Sequence, residues 1–212
     1  MSASDPKLFV CEHPLIQHLL AEARDQRTGP MVFRRLLRQV GAMLAYEALR
    51  DLPRITRRIQ TPMEAMEVQT MRAPVTIVPI LRAGLGLADG MLEVLPDARM
   101  GHIGLFRDES TLNPVTYYEK LPEDIAGGPT LLVDPMLATG GSACEALAKL
   151  WGRNCVDVRF VCLVASPEGV KRLHELDPNV PIYTAAVDRQ LNEKGYILPG
   201  LGDAGDRLYG TG

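Results

Sequence analysis

The residues best suited to chemistry lie between 131 and 142, where a short apolar run ends in an acid and leads into a glycine-rich turn. Three apolar residues before Asp134 are typical of a buried parallel strand, and the carboxyl end of such a strand is where open α/β sheets bind their ligands. The turn at 139–142 has two glycines, which let backbone N–H groups approach an anion, and two hydroxyl donors at the start of a helix. The segment therefore predicts a phosphate site with a carboxylate beside it.

The same residues also have a purely structural interpretation. Asp134 could simply end a strand, and Ser142 could cap the helix that follows, as serine does at many helix N-termini. The chemical interpretation gains weight if other charged residues reach the same edge of the sheet.

Two arginines follow predicted strands and would reach that edge. Arg82 comes after the apolar run 75–80, and Arg107 after the run 100–106. Guanidinium groups make forked contacts to phosphate oxygens, so two of them beside an acid and a phosphate turn indicate a ligand with two separated phosphate groups. The C-terminal residues 195–212 contain six glycines, which are too many for a core element and indicate a close approach of backbone to something else. Asp203 in this segment is either a turn residue or a residue that faces a ligand.

Other catalytic patterns are missing from the sequence. It has no GxxxxGK[ST], GxGxxG or GxSxG motif, which disfavours an NTPase, a dinucleotide-binding dehydrogenase and an α/β-hydrolase. The four histidines do not cluster with cysteines or acids at metal-ligand spacing, so we expect them to be structural or exposed. The thiol of Cys144, in the first turn of the helix after the glycines, could have a lowered pKa, although apolar packing is the expected role.

Three arginines, Arg34, Arg35 and Arg38, lie close together on a predicted helix. They could form an anion site. A solvated helix face is the simpler interpretation, because charged runs on helices usually face water.

The composition is that of a globular protein with a single domain. The chain has 212 residues, of which 46% are hydrophobic and 23% charged, and its formal net charge is -3. This charge gives no general attraction to nucleic acid or to anionic membranes, so we expect neither as a partner. The four cysteines lack CxxC pairs and zinc spacing, and no segment resembles a signal peptide or a membrane span, which together favour a cytoplasmic protein with reduced thiols.

The periodicity of apolar residues predicts an α/β fold with a central, mostly parallel sheet flanked by helices. Strands and helices alternate between residues 75 and 187, with one of the helices at 167–176, as expected for right-handed crossovers that cover both faces of the sheet. Two helices, at 14–26 and from 30 to about 51, are expected to precede any strand. Alternating residues at 54–72 predict a protruding hairpin or arm, and the polar residues 107–129 predict a long functional or mobile loop.

These segments together resemble the type I phosphoribosyltransferases, and in particular their uracil branch. The run 133–142, with Asp-Pro-Met before the TGGS turn, is similar to the loop that binds phosphoribosyl pyrophosphate in that family. The C-terminal sequence GYILPGLGDAGD is the most specific part, because TGGS is shared across the superfamily. The resemblance begins near His13 and reaches the C-terminus, and it includes the segments 78–86, 106–107, 167–169 and 191–206.

The resemblance implies the type I phosphoribosyltransferase fold in a single domain over residues 1–212. Its parts would be N-terminal helices at 14–52, a β-arm at about 54–72, a core at about 73–187 and a hood at about 188–212. It also implies a homo-oligomer, either a dimer or a larger assembly, and the possibility of a GTP effector, which activates some bacterial relatives.

The activity implied by the resemblance is transfer of ribose 5-phosphate from phosphoribosyl pyrophosphate to N1 of uracil, giving UMP and pyrophosphate in pyrimidine salvage. The residues implied in binding phosphoribosyl pyrophosphate are Arg82, Arg107, Asp134, Pro135, Met136, Leu137, Ala138, Thr139, Gly140, Gly141, Ser142 and Asp203. Those implied in binding uracil are Ile197, Gly202, Asp203 and Ala204. The implied catalytic residues are Arg107, Asp134 and Asp203, and closure of the loop 107–120 with Tyr117 and Tyr118 would exclude water.

The expected metal is Mg²⁺. Many members of the superfamily have two adjacent acids where this chain has Asp134 followed by Pro135. We therefore expect Mg²⁺ to be carried by the pyrophosphate and ribose oxygens of the substrate, with water rather than a direct protein ligand on its other side.

A function of another class is also compatible with this fold. An RNA-binding pyrimidine regulator could retain the same domain, but such a protein should have a basic face. The net charge of -3 argues against this alternative.

Overall fold

The structure is a computed structural model that describes residues 7–107 and 114–211. Its helices and strands follow from the periodicity of apolar residues and from helix caps. The strands are β1 Leu8–Val10, β2 Arg54–Gln60, β3 Ala65–Met71, β4 Thr76–Leu81, β5 Arg99–Met100, β6 His102–Arg107, β7 Pro114–Lys120, β8 Thr130–Val133, β9 Met136–Leu137, β10 Val158–Ala165, β11 Ile182–Val187, β12 Gln190–Leu191 and β13 Ile197–Leu198. The helices are α1 Pro14–Arg24, α2 Pro30–Ala48, α3 Leu85–Val94, α4 Gly141–Gly152, α5 Pro167–Leu176 and α6 Ala204–Tyr209, with a 3₁₀ turn at Ile125–Gly127.

A mostly parallel sheet forms the centre of the domain, as predicted. Its strands lie in the order β1, β11, β10, β8, β4, β6, β7, and the short strands β5 and β9 pair with β4 and β10. The pairs along this order are parallel except for β6 with β7, which is antiparallel. β10 has neighbours on both sides and all of its residues are buried, which explains its nearly continuous apolar sequence.

Successive side chains along each strand pack on opposite faces of the sheet. On β4, Ile77 joins the core that includes residues of α1, α2 and α3, whereas Val78 joins the core that includes residues of α4 and α5. Leu131 and Leu132 on β8 divide in the same way. The prediction that helices cover both faces is therefore confirmed.

Local signals set the helix boundaries. Pro14 and Pro30 occupy the first turns of α1 and α2, where the missing N–H group would have no partner within the helix. Ser166 caps α5, and this helix spans the predicted residues, whereas α2 ends at Ala48, before the expected 51. No helix among the described residues has the length and apolar character needed to cross a membrane.

The expectation that two helices precede any strand is wrong. β1 comes before α1 and pairs in parallel with β11, which places Leu8 beside Ile182 and Val10 beside Thr184. A strand of three residues is too short to show a period, and its partner lies far away in the sequence. Tertiary pairing therefore makes this segment a strand.

The prediction of a long loop at 107–129 is wrong in part, because β7 lies within it and pairs with β6. Tyr117 covers Gly104, where an added Cβ would lie 2.6 Å from the tyrosine ring. Tyrosine, valine and threonine favour strands, but the surrounding polar residues obscured this signal. Residues 108–113 lie outside the described residues, so closure of a loop there stays a prediction.

The C-terminal segment contributes to the core, contrary to the expectation drawn from its glycines. β12 and β13 form a small antiparallel pair, and α6 follows them. Leu201, Ala204 and Leu208 are buried in the same core as α1 and α2. Gly195 lies between β12 and β13, and Gly200 and Gly202 lie between β13 and α6.

The arm at 54–72 has the predicted form. β2 and β3 pair as an antiparallel hairpin in which Arg54 lies beside Met71 and Gln60 beside Ala65. The side chains of β2 are exposed, and Met63 at the turn is 90% exposed. The arm therefore extends from the domain.

Close packing of α2 on α3 depends on Gly90, because a Cβ at this position would overlap the carbonyl oxygen of Arg38. We expect Gly90→Ala to lower the free energy of unfolding, measured by urea denaturation, by about 1–3 kcal/mol, since the helices must move apart. Gly152→Ala is the control, because nothing lies within 4 Å of its added Cβ. Equal stability of the two variants would contradict this account of the packing.

Candidate active site

A cavity of about 420 Å³ lies where the segment after β8 meets the C-terminal segment. One side is formed by Asp134, Met136 and Ala138, and the other includes Ile197 and residues 202–205. The fold thus brings together residues that the sequence assigned to a phosphorylated sugar and residues that it assigned to a base.

The turn at 139–142 has the geometry expected of an anion site. Gly140 is the N-cap of α4 and has a φ of +75°, in the left-handed region that favours glycine. This cap residue has no side chain that could bond the first-turn N–H groups of α4, and the helix dipole favours an anion there. Gly141 begins α4, and Thr139 and Ser142 are partly buried beside it. Phosphate binding itself stays a prediction.

The back of this turn is held by the start of α5, a role that the sequence did not reveal. Ser166 donates from Oγ to the Ala138 carbonyl oxygen at 2.6 Å, and its N–H donates to the Leu137 carbonyl oxygen at 2.9 Å. A Cβ at Gly169 would overlap the carbonyl oxygens of Leu137 and Ala138. In the sequence, the resemblance of residues 167–169 to the family marked these positions, but it did not indicate that they hold the turn.

Asp134 lies at the carboxyl end of β8 and is partly buried. Burial raises the pKa of its carboxyl group to about 7, and the negative charge of Asp203 raises it as well. The N–H group of Met136 donates to Oδ1 at 3.3 Å and acts in the opposite direction. The carboxyl group is therefore poised to change its charge near neutral pH.

Both sequence interpretations of Asp203 are compatible with the structure. Its Oδ1 accepts a hydrogen bond from the Asp206 N–H at 2.9 Å, which caps α6, and the residue also lines the cavity. Its neighbours Gly202 and Ala204 line the same wall. The cap is a structural role, and contact with a ligand stays a prediction.

Arg82 lies beside the cavity and is held by α6. Its guanidinium group is 3.8 Å from the Asp206 carboxylate and 5.3 Å from the centre of the Tyr209 ring. The Tyr209 hydroxyl donates to the Arg82 carbonyl oxygen at 3.1 Å. The Arg82 side chain is 56% exposed, so it can still reach a ligand at the edge of the sheet.

Three other residues assigned to phosphoribosyl pyrophosphate have different positions. Pro135 and Leu137 are buried, and the lining of the cavity is formed by their neighbours. The Pro135 carbonyl oxygen accepts hydrogen bonds from two N–H groups of β10. Arg107 ends β6, and its side chain lies outside the described residues. Any ligand contact by these residues stays a prediction.

Cys144 does not have the properties of an activated thiol. Burial raises the pKa of its thiol, and the nearby Arg172 only partly opposes this effect. Among the described histidines, His13 accepts a hydrogen bond from the Leu15 N–H and a ring nitrogen of His174 lies 3.2 Å from the Val180 carbonyl oxygen. Within residues 7–107 and 114–211, no group of three His, Cys, Asp or Glu side chains could hold a metal ion.

Asp134→Asn should change how stability depends on pH. The folded protein keeps the Asp134 proton up to about pH 7, whereas the unfolded chain, with the ordinary aspartate pKa of 3.8, has already lost it. The wild type therefore loses stability as pH rises through this interval, and the variant does not. At about pH 8 we expect the ligand-free variant to be more stable by about 2–4 kcal/mol, with a smaller difference at about pH 5.

Urea denaturation in EDTA at both pH values provides the measurement. Asp97→Asn is the control for removal of a carboxylate, because Asp97 is exposed. If the curves of stability against pH for the wild type and Asp134→Asn ran parallel, the raised pKa would be refuted.

Known proteins of one family match this chain over nearly all of its length. The sequence profile of the uracil phosphoribosyltransferases matches residues 10–211. A uracil phosphoribosyltransferase of Acholeplasma laidlawii is 53% identical over 205 residues, which cover 97% of this chain and 99% of that protein. The corresponding protein of Enterococcus faecalis is 54% identical over 206 residues, with 97% and 99% coverage.

Solved structures agree with this match. A protein from Aquifex aeolicus superposes with a TM-score of 0.91 at 41% identity, covering 95% of this chain and 97% of its own. An adenine phosphoribosyltransferase of Trypanosoma brucei, in complex with AMP, pyrophosphate and ribose-5-phosphate, superposes with a TM-score of 0.59 over 94% and 90% of the two chains. Its 13% identity makes this a likeness of fold alone. With a family profile that spans nearly the whole sequence and relatives that share more than half of its residues, this chain belongs to the uracil phosphoribosyltransferase family.

Proposed function

We propose that this protein transfers ribose 5-phosphate from phosphoribosyl pyrophosphate to uracil. The bond from C1 of the ribose to pyrophosphate breaks, a bond to N1 of uracil forms, N1 loses its proton, and the products are UMP and pyrophosphate. The observation that carries this proposal is the family match over residues 10–211, which includes both walls of the cavity. The place of this reaction would be pyrimidine salvage.

The wall after β8 suits the phosphoribosyl group. The N-terminus of α4, with the hydroxyl groups of Thr139 and Ser142, would hold the 5-phosphate. Asp134 would accept hydrogen bonds from the ribose hydroxyl groups, which is favourable in its charged form. Met136 and Ala138 lie in the same wall and would contact the sugar.

The arginines suit the pyrophosphate. Its departure leaves positive charge on the sugar and develops negative charge on the leaving group, so donors at this position stabilise charge that grows in the transition state. Arg82 lies beside the cavity, and Arg107 ends a strand that neighbours β4. No covalent nucleophile is needed for this substitution.

The wall at 197–204 suits uracil. Uracil presents a carbonyl, an N–H and a second carbonyl in a row, and fixed backbone donors and acceptors can match this order. Ile197, Gly202, Asp203 and Ala204 line the cavity, and we propose that their backbone groups read the base. Cytosine would leave one of these buried groups unpaired, which gives discrimination.

We propose Mg²⁺ as the cofactor, bound to oxygens of the substrate. Asp134 and Asp203 line one cavity, and the charge of Asp203 adds to the rise in the pKa of Asp134 that burial causes. These carboxylates fit a hard cation through intervening water, which agrees with the reluctance of Mg²⁺ to lose its hydration. When bound, the ion would neutralise charge on the pyrophosphate.

A GTP effector and a homo-oligomer are further parts of the proposal. A cleft of about 470 Å³ is lined by Arg34, Arg35 and Arg38, which supports binding of a polyphosphate there.

The exposed apolar side chains of the arm, with Met63 at 90% and Met66 at 46% exposure, support burial against a second subunit in a dimer or larger assembly. The four free cysteines support a cytoplasmic location.

Incubation of the purified protein with uracil, phosphoribosyl pyrophosphate and Mg²⁺ should produce UMP and pyrophosphate, measured by chromatography. Cytosine and orotate serve as control bases and should give little product, because cytosine has a different donor and acceptor order and orotate carries an added carboxylate next to N1. Absence of UMP would refute the proposed function. The RNA-binding alternative has no support in the relatives described above, and salt-sensitive RNA binding without turnover would restore it.

Arg82→Ala should lower kcat/KM for phosphoribosyl pyrophosphate by about tenfold or more, because a charged contact to the leaving group is lost. Arg50→Ala is a matched control: Arg50 also pairs with a carboxylate, that of Glu47, and its guanidinium lies 5.4 Å from the centre of the Tyr46 ring. Arg50 does not line the cavity, so the steady-state kinetics of Arg50→Ala should match those of the wild type. Similar rates for Arg82→Ala and Arg50→Ala would remove Arg82 from the site.

A further inference from the structure

An ion pair lies behind the wall that we assign to uracil. Arg24, at the end of α1, donates from Nη1 to Asp188 Oδ2 at 2.8 Å and from Nη2 to Asp188 Oδ1 at 2.7 Å. The side chains are 24% and 7% exposed, so this forked contact is largely removed from water. Asp188 directly follows β11, at the same edge of the sheet as Asp134, yet neither member of the pair lines the cavity.

The pair binds both backbone groups of a single residue, Gly200. The Gly200 N–H donates to Asp188 Oδ2 at 2.8 Å, and Arg24 Nη1 donates to the Gly200 carbonyl oxygen at 2.7 Å. Gly200 has a φ of +62°, and a Cβ there would overlap the Ile197 carbonyl oxygen. The ion pair thus fixes the backbone between Ile197 and Gly202, which both line the cavity.

A second arginine attaches the next residue of the loop to the same helix end. Arg207 donates from Nη1 to the Leu201 carbonyl oxygen and from Nη2 to the Asp25 carbonyl oxygen, both at 2.8 Å. Its guanidinium group lies 4.2 Å from the centre of the Phe33 ring. Residues 200 and 201 are therefore both tied to the C-terminal end of α1.

Stabilisation of the fold is the simpler explanation of a buried ion pair, but it is a weak one. Desolvation of the two charges offsets most of their attraction, so such pairs often add little stability. In addition to the attraction between its charges, this pair makes two directional hydrogen bonds to the backbone of Gly200. Backbone groups can discriminate between bases only when their positions are fixed.

We propose that Arg24 and Asp188 are positioning residues for base binding, which hold Gly200 so that the backbone of residues 197–204 meets uracil in one geometry. The inference rests on the proposed function, since it assumes that uracil occupies this wall. It assigns a role in the site to the N-terminal helix α1.

Steady-state kinetics of Arg24→Met and Asp188→Asn test the proposal. We expect KM for uracil to rise about tenfold or more in each variant, while KM for phosphoribosyl pyrophosphate stays within about twofold. Arg24→Lys keeps the charge but not the forked geometry, so its KM for uracil should be intermediate. Arg27→Met is the matched control, because Arg27 pairs with Asp25 at the same end of α1 with its side chain 85% exposed, and it should behave as the wild type.

Hydrogen exchange of the ligand-free protein gives a second measurement that does not depend on activity. The Gly200 amide should exchange faster in Arg24→Met and Asp188→Asn than in the wild type, while amides of β10 keep their protection. This comparison separates a loosened loop from a protein that fails to fold, which would lose protection in β10 as well. If Arg24→Met does not fold, Arg24→Lys and Asp188→Asn carry both measurements.

The outcomes are distinguishable. A wild-type protein that makes no UMP refutes the proposed function, and the positioning role is then overturned with it. A wild type that makes UMP, with variants whose KM for uracil is unchanged, overturns the positioning role alone. Equal increases in KM for both substrates, with a lowered melting temperature and unchanged exchange at Gly200, would show a merely structural pair.

Discussion

Packing of the phosphate turn against the start of α5 is the contact on which the rest of the site depends. Backbone N–H groups can face an anion only when the carbonyl groups of the same turn have partners on the other side. Ser166 supplies those partners for Leu137 and Ala138, and Gly169 lets the two backbones touch. Ala138 and Asp134 line the cavity, and the start of α4 follows them directly in the chain. A buried serine and a glycine outside the cavity thus set the position of the binding groups.

The carboxyl groups of Asp134 and Asp203 lie close enough for their charges to interact when no substrate is bound. Asp134 and Asp203 both line the cavity. Burial raises the pKa of Asp134 to about 7, and the negative charge of Asp203 raises it as well. A substrate that brings a divalent cation and hydroxyl donors would favour the charged form of Asp134. Binding would then release a proton near neutral pH, so substrate affinity and pH would be linked. Arg82, held by Asp206 and Tyr209, supplies positive charge beside the same cavity.

Much of this arrangement could be predicted from the sequence, and the parts that could not share a physical cause. α5 was predicted at its observed bounds because its cap and its first proline are local signals. β1 and β7 were missed because pairing with another strand decides their structure. α6 was missed because its buried face forms against α2. The ion pair of Arg24 with Asp188 joins residues far apart in the sequence, so nothing near either residue indicates it.

The position of β1 has a consequence for synthesis of the chain on the ribosome. Leu8 pairs beside Ile182, and Arg24 binds Asp188 and Gly200, so β1 and the end of α1 find these partners only in segments that are made much later. Until β11 has emerged, the edge of β1 has no native strand to pair with, whereas α1 can already pack on α2. The strands and helices between them can form earlier, and the phosphate turn with them. The wall assigned to the base is therefore the part of the site that is completed last.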